Sequence, residues 1–87
     1  MDSEEPAADP AGAQLGARER AVLDFELRQW KHAGAKEEAI RARFGISATS
    51  YHQILNALLD DPAALAYSPS LVARLRRRRE ARQQARR

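Results

Sequence analysis

Apolar and polar residues recur with helical spacing between Thr49 and Leu58. Four apolar residues recur at i, i+3, i+4 and i+7 and so share one face of a helix: Tyr51, Ile54, Leu55 and Leu58. A polar, mostly uncharged stripe follows the same spacing on another face: Thr49, His52, Gln53 and Asn56. The pattern predicts a helix that buries one face and offers the other for hydrogen bonding, as a groove-reading helix does.

The residues before this helix predict a shorter helix and a turn. The shorter helix covers about 36–44, and three of its apolar residues are expected to face inward: Ala39, Ile40 and Phe44. Gly45 is expected to end it, because glycine tolerates the left-handed conformation. Ile46 is an apolar residue in the turn, and Ser47 is the predicted N-cap of the next helix. Residues 41–59 therefore predict the turn and second helix of a helix-turn-helix.

A first helix is predicted over about 16–33, with Gly34 ending it. Its wide apolar side suits a helix packed against two others, with these residues on or beside that side: Val22, Leu23, Phe25, Leu27, Gln29, Trp30 and Ala33. Met1 to about Leu15 is expected to be disordered, because it holds prolines and acids and has almost nothing to bury.

After Leu59, an Asp61–Pro62 cap predicts a short turn or helix over 63–66, and Ser68–Pro69 repeats the device. A last helix is expected to run from Pro69 through the arginines. It should dock by its first turns and fray or project beyond Arg76, because its only large apolar residues come early: Leu71, Val72 and Leu75.

The predicted fold class is all-α, a small helix-turn-helix with a three-helix core and a C-terminal arginine-rich helix or tail. The expected divisions are an acidic disordered tail at 1–15, a core at 16–66 and a basic C-terminal helix or tail at 67–87. The net charge of +3 hides this asymmetry. Residues 1–17 carry four acids, residues 18–73 are neutral, and residues 74–87 carry eight arginines against Glu80. Such a basic end favours a polyanion as partner.

Several function classes are disfavoured. The chain has no cysteine, so disulfides and thiolate metal sites are absent. No apolar run approaches the roughly 18 residues of a membrane span, and the acidic N-terminal segment is not expected to act as a secretory signal. His32 and His52 fit no metal-ligand pattern, and no nucleophile–base grouping stands out. We expect no enzyme, no cofactor, no metal, no membrane partner and no small-molecule substrate, and a cytoplasmic location.

Candidate DNA contacts fall into two groups. The predicted recognition helix and its cap offer hydrogen-bonding side chains for bases or phosphates: Ser47, Thr49, Ser50, His52, Gln53 and Asn56. This helix carries no Lys or Arg, so phosphate neutralisation must come from elsewhere. The candidates for phosphate or minor-groove contacts are Lys36, Arg41, Arg43, Arg74, Arg76, Arg77, Arg78, Arg79, Arg82, Arg86 and Arg87. The alternatives are solvated charges, a capping-only role for the serines and an Arg41–Glu37 pair.

The chain also resembles a known family over residues 17–82. The most distinctive segments are LDFE at 23–26, WKHAGAKE at 30–37, FGISATSY at 44–51, QILNALLD at 53–60 and RLRR at 74–77. These are similar to a small actinobacterial family, first catalogued as a domain of unknown function, that includes the mycobacterial NapA-type nucleoid-associated proteins. Gln29 and His52 stand where that family usually has aromatic residues. The resemblance implies sequence-tolerant DNA binding, DNA compaction or architecture in the nucleoid, and local transcriptional control.

Two hypotheses of different classes follow. The chain is either an architectural protein that binds double-stranded DNA or a protein-interaction adaptor, for example on the transcription machinery, whose basic tail contacts an acidic partner. Two further hypotheses are that the acidic segment 2–9 folds back on the arginines, and that a homodimer forms through a patch on the first helix. That patch comprises Leu23, Leu27 and Trp30, for which core packing is the alternative.

Overall fold

The computed structural model describes residues 15–28 and 30–86, and these residues form helices joined by short connections, with no strand among them. The all-α fold is therefore confirmed. In chain order the helices are α1 (Ala17–Glu26), α2 (Ala33–Phe44), α3 (Ala48–Leu58), α4 (Pro62–Tyr67) and α5 (Pro69–Ala85). In this part of the chain, no helix has both the length and the apolar character needed to cross a membrane.

The core lies where α3 packs against α1 and α2, and α4 packs against α1 and α5. Tyr51 is fully buried at its centre, and Leu55 and Leu58 are buried beside it as the apolar stripe predicts. Aromatic rings continue the core outward from Phe25, whose ring contacts those of Trp30 and Phe44 at centroid distances of 5.2 and 5.5 Å. The aromatic residues predicted for the core are thus found in it or packed against it.

The boundary between the first two helices differs from the prediction. α1 ends at Glu26 and α2 begins at Ala33, so Gly34 lies in the first turn of α2 and does not end a helix. Backbone N–H groups of Leu27 and Arg28 bond carbonyls only three residues earlier, which tightens and ends α1. This early end lets the chain turn so that Trp30 stacks on Phe25. Tertiary packing has overridden a local helix signal.

The turn between α2 and α3 matches the prediction closely. Gly45 has a φ of 69°, and its N–H closes α2 by bonding the Arg41 carbonyl. Ile46 packs against the core. The Ser47 hydroxyl accepts a hydrogen bond from the Ser50 N–H at 3.1 Å and so caps α3. The predicted order of helix, turn and helix is present.

The C-terminal helices also follow the prediction in outline, with two differences. The Asp61 carboxylate accepts from the Ala63 N–H at 2.9 Å ahead of Pro62, but Ser68 makes no side-chain capping bond before Pro69. Leu71 and Val72 dock α5 on the core. The helix beyond Arg76 does have contacts, described below, and so does not simply project.

Leu15 also departs from expectation. It is 4% exposed and belongs to the core, in contrast to the disorder predicted for residues 1–15. The expectations for residues 1–14, including the fold-back of the acidic segment, lie outside the described residues, as do those for Gln29 and Arg87.

Candidate nucleic-acid interface

The polar face of α3 is a shallow, exposed surface. Thr49, His52, Gln53 and Asn56 line it together, as their spacing predicts. Glu37 of α2 borders the same surface, a neighbour that the helical pattern of α3 alone did not indicate. A carboxylate at this position repels phosphate, so the surface is neutral to acidic and lacks cations of its own.

Several hydrogen-bonding groups of this surface already have partners within the protein. Ser47 and Ser50 bond each other through the cap, with their hydroxyl oxygens 3.2 Å apart. His52 Nδ1 lies 2.9 Å from the Ala48 carbonyl, which requires a proton on Nδ1 and leaves Nε2 as the outward nitrogen. The side chains with most hydrogen-bonding capacity left for a partner are therefore Thr49 and Gln53.

Asn56 is held by an arginine from α5. Arg79 Nη1 donates to Asn56 Oδ1 at 2.9 Å, and the same guanidinium pairs with Asp60 through Nη2 at 2.8 Å. The hydrogen bond and charge of Arg79 lower the pKa of the Asp60 carboxyl. This contact is the main link between the distal part of α5 and α3, and it uses two residues that were predicted to contact DNA.

Lys36 likewise has a structural role. Its ammonium group lies 2.9 Å from the carboxylate of Glu26, whose side chain is only 7% exposed. The same carboxylate accepts a hydrogen bond from the Tyr51 hydroxyl at 2.6 Å. Burial, and then the hydrogen bond and charge of Glu26, raise the pKa of the Tyr51 hydroxyl, which therefore remains a donor. We call these three residues the Glu26 triad; Lys36, a predicted phosphate contact, is paired within the protein in it.

The arginines of α5 divide into two groups. Arg76 Nε donates to the Leu59 carbonyl near the end of α3, and Arg79 is the link to Asp60, so both are half-buried and engaged. The others among the described residues are largely exposed and make no ion pair there: Arg74, Arg77, Arg78, Arg82 and Arg86. Arg41 and Arg43 of α2 are exposed as well, and Arg41 has no carboxylate partner in the described part of the chain.

One side of α5 adjoins the polar face of α3. Arg78 and Arg82 line a groove together with His52, above the apolar side chains of Leu55 and Leu75. Arg74 lies one helical turn before Arg78 and lines a second, neighbouring cleft with it. The fold thus brings together the hydrogen-bonding surface of α3, which Glu37 borders, and a row of arginines that is far away in sequence.

Glu26 and Asp60, the carboxylates that pair with Lys36 and Arg79, could not be identified from the sequence. Glu26 gave no signal because a carboxylate on an otherwise apolar helix face reads as an exposed residue, and its burial depends on α2 and α3 docking there. Asp60 directly precedes the Asp61–Pro62 cap, and this position indicates no ion pair. Its spacing of 19 residues from Arg79 indicates nothing until α5 folds back along α3.

The fold and these surfaces define a small all-α protein with an arginine-rich last helix. The chain belongs to the family described as "Protein of unknown function (DUF3263)", whose model matches residues 14–87. Neither a curated protein nor a solved structure matches it significantly. The expected membership of a family first catalogued without a function is thereby confirmed at that level.

Proposed function

We propose that this chain binds double-stranded DNA with low sequence specificity, as a nucleoid-associated, architectural protein that also influences transcription locally. The observation that carries the proposal is the groove shared by His52 of α3 with Arg78 and Arg82 of α5. A duplex lying along α3 would meet a hydrogen-bonding surface and a row of cations at the same time. Base edges and phosphates require these two kinds of surface.

The affinity is assigned to α5. Arg74, Arg78 and Arg82 are spaced at i, i+4 and i+8, which spreads them over about 12 Å of helix at about 1.5 Å per residue. That length exceeds the spacing of successive phosphates on a strand, about 3.4 Å of helix axis each, so the three side chains can reach separate phosphates. Arg76 and Arg79 stabilise α5 against α3 and thereby hold the row in position.

Low specificity follows from the state of the α3 face. Specific readout needs several side chains free to bond base edges, often in bidentate pairs. Here Asn56 is bonded to Arg79, and the serines are bonded within the cap. Thr49, Gln53 and one nitrogen of His52 provide few contacts, and Glu37 opposes close approach of phosphates. The face is therefore suited to positioning a duplex more than to selecting a sequence.

The nucleoid role rests on the resemblance to the NapA-type proteins and agrees with sequence-tolerant, charge-driven DNA binding.

Fluorescence anisotropy of the full chain with AT-rich and GC-rich duplexes over a range of salt concentrations tests the function. We expect both duplexes to bind with similar affinity. The logarithm of the affinity should fall against that of the salt concentration with a slope of about −3 or steeper, since each neutralised phosphate contributes about −0.9.

Weak duplex binding at physiological salt would contradict the proposal and favour the adaptor hypothesis, in which the arginines contact an acidic protein. A strong preference for one sequence would contradict low specificity while retaining DNA as the partner. Replacing Gln53 by Ala separates these cases further, because it removes base contacts without changing the charge.

A further inference from the structure

A cleft lies between the N-terminus of α2, the connection that precedes it and the middle of α5. Its volume is about 550 Å³, within the range of small-ligand sites. The lining residues come from elements far apart in sequence: Glu26, Arg28, Trp30, His32, Ala33, Lys36, Arg74 and Arg78. Four of these eight residues are Lys or Arg, and only Glu26 is acidic.

The charges of the cleft do not cancel. Lys36 and Glu26 neutralise each other at 2.9 Å, and the Tyr51 hydroxyl also donates to that carboxylate. The cleft is left with three arginines from two elements, Arg28, Arg74 and Arg78, none of which pairs with a carboxylate among the described residues. Converging guanidinium groups without a counter-ion favour a multivalent anion with several acceptor oxygens.

The wall also offers backbone hydrogen-bond donors at the start of α2. His32 is the N-cap residue of α2, but its side chain makes no capping bond, so the first N–H groups of this 12-residue helix remain available. The indole nitrogen of Trp30 is buried and has no hydrogen-bond partner among the described residues. This nitrogen is closed off from the cleft, so the donors that an anion can reach are the arginines and the first turn of α2.

We propose that this cleft is a phosphate-binding site in which Arg28, Arg74 and Arg78 hold the phosphate oxygens beside the N-terminus of α2. A nucleobase is not expected to stack there, because Phe25 and Arg28 already lie against the indole ring. Phe25 stacks on the Trp30 ring, and the Arg28 guanidinium lies 4.7 Å from the ring centroid. The phosphate comes either from a free phosphate monoester, independently of the duplex binding proposed above, or from a DNA backbone, in which case the site rests on that binding and shares Arg74 and Arg78 with it.

Trp30 is the only tryptophan of the chain, so its fluorescence reports on the cleft. The full-length protein is titrated with inorganic phosphate against chloride at constant ionic strength, and separately with a short duplex that lacks terminal phosphates. The variants are Arg74→Ala, Arg28→Lys and, as a charge-matched control, Arg18→Ala, whose exposed side chain on α1 does not line the cleft. Circular dichroism verifies that each variant is folded.

We expect a saturable change in Trp30 emission. Arg74→Ala should weaken the affinity obtained from this change about tenfold, as for the loss of a charge-assisted hydrogen bond. Arg28→Lys should also weaken it, because lysine cannot bond bidentately, and Arg18→Ala should not. A response to inorganic phosphate identifies a free phosphate group as a ligand. A response to the duplex alone, equally sensitive to Arg74, identifies the backbone. No response to either, or a response that Arg74→Ala leaves unchanged, overturns the proposal, whereas duplex binding measured by anisotropy tests the proposed function separately.

Discussion

Replacing Tyr51 by Phe removes one hydroxyl from the centre of the Glu26 triad and leaves the packing of the ring in place. The hydroxyl donates to the Glu26 carboxylate at 2.6 Å, and its longer approach to the Val22 carbonyl, at 3.3 Å, adds little. A hydrogen bond to a charged group is worth about 1.5–3 kcal/mol. We therefore expect Tyr51→Phe to lower the free energy of unfolding by about 2 kcal/mol and Tm by roughly 8–16 °C for a domain of this size.

Urea denaturation followed by circular dichroism and by Trp30 fluorescence measures this loss. Tyr67→Phe is the matched control, because the Tyr67 hydroxyl also bonds a carboxylate, that of Asp24 at 3.1 Å, but at the surface; its loss should be smaller. In a Glu26→Gln background, Tyr51→Phe should cost less than in the wild type, since the two groups are coupled. A loss below about 0.5 kcal/mol, typical of a surface substitution, would refute the role given to the triad.

The pH dependence gives a second test of the same contact. The pKa of Tyr51 is raised in the folded state, so the folded state keeps a proton that the unfolded chain releases above a pH of about 10. The stabilisation is fully present below that pH and is lost as the pH rises toward the pKa of the folded state. Wild-type stability should therefore fall more steeply than that of Tyr51→Phe in alkaline solution. Equal slopes would contradict this assignment.

Other changes have equally definite outcomes. Gly45→Ala should lower the free energy of unfolding by about 1 kcal/mol, because φ is 69° there. Gly34→Ala should raise it by about 0.5–1 kcal/mol, since a Cβ at this helical position meets nothing within 4 Å. Urea denaturation measures both changes, and the opposite signs would contradict the helix boundaries. Asp60→Asn should speed amide hydrogen exchange in the distal part of α5 at neutral pH. Arg79 lowers the pKa of Asp60, so the stabilisation by this ion pair is present above the ordinary aspartate range and is lost as the pH falls through the folded-state pKa of Asp60. Below that pKa, Asp60→Asn and the wild type should exchange at the same rate. A difference that does not change with pH would contradict the Asp60–Arg79 contact. Gln53→Ala should weaken duplex binding less than Arg78→Ala, as measured by anisotropy; the reverse order would assign the affinity to α3.

The local part of the fold could be predicted because its signals are local. Gly45, Ser47 and the Asp61–Pro62 pair act through backbone conformation and bonds to residues two to four positions away. The early end of α1 could not be predicted, since it depends on the stacking of Trp30 against Phe25 after the helices dock. Gly34 is a poor indicator of where α1 ends, because a glycine that tolerates a helix end is also accepted in the first turn of a helix.

The residues of the candidate site could be predicted from the sequence, but not which of its cations are free to bind a partner. The spacing of α3 identified its polar face, and the charge run identified α5. Which cations remain available depends on carboxylates brought near by folding. Glu26 engages Lys36, and Asp60 engages Arg79. Removing residues 74–87 would not isolate the effect of the exposed arginines, because it would also delete Leu75 and the contacts of Arg76 and Arg79.

The central claim is that exposed arginines on one side of α5 grip DNA phosphates beside α3. The most direct test compares the salt dependence of duplex binding for the wild type, the triple variant Arg74→Ala/Arg78→Ala/Arg82→Ala and the single variants Arg78→Ala and Arg77→Ala. The triple variant should make the log–log slope shallower by roughly 2.7, at about 0.9 for each lost phosphate contact. Arg78→Ala should change it more than Arg77→Ala, which removes the same charge from the neighbouring position but lines neither groove nor cleft. An unchanged slope in the triple variant, or equal effects of the two single variants, would contradict the account.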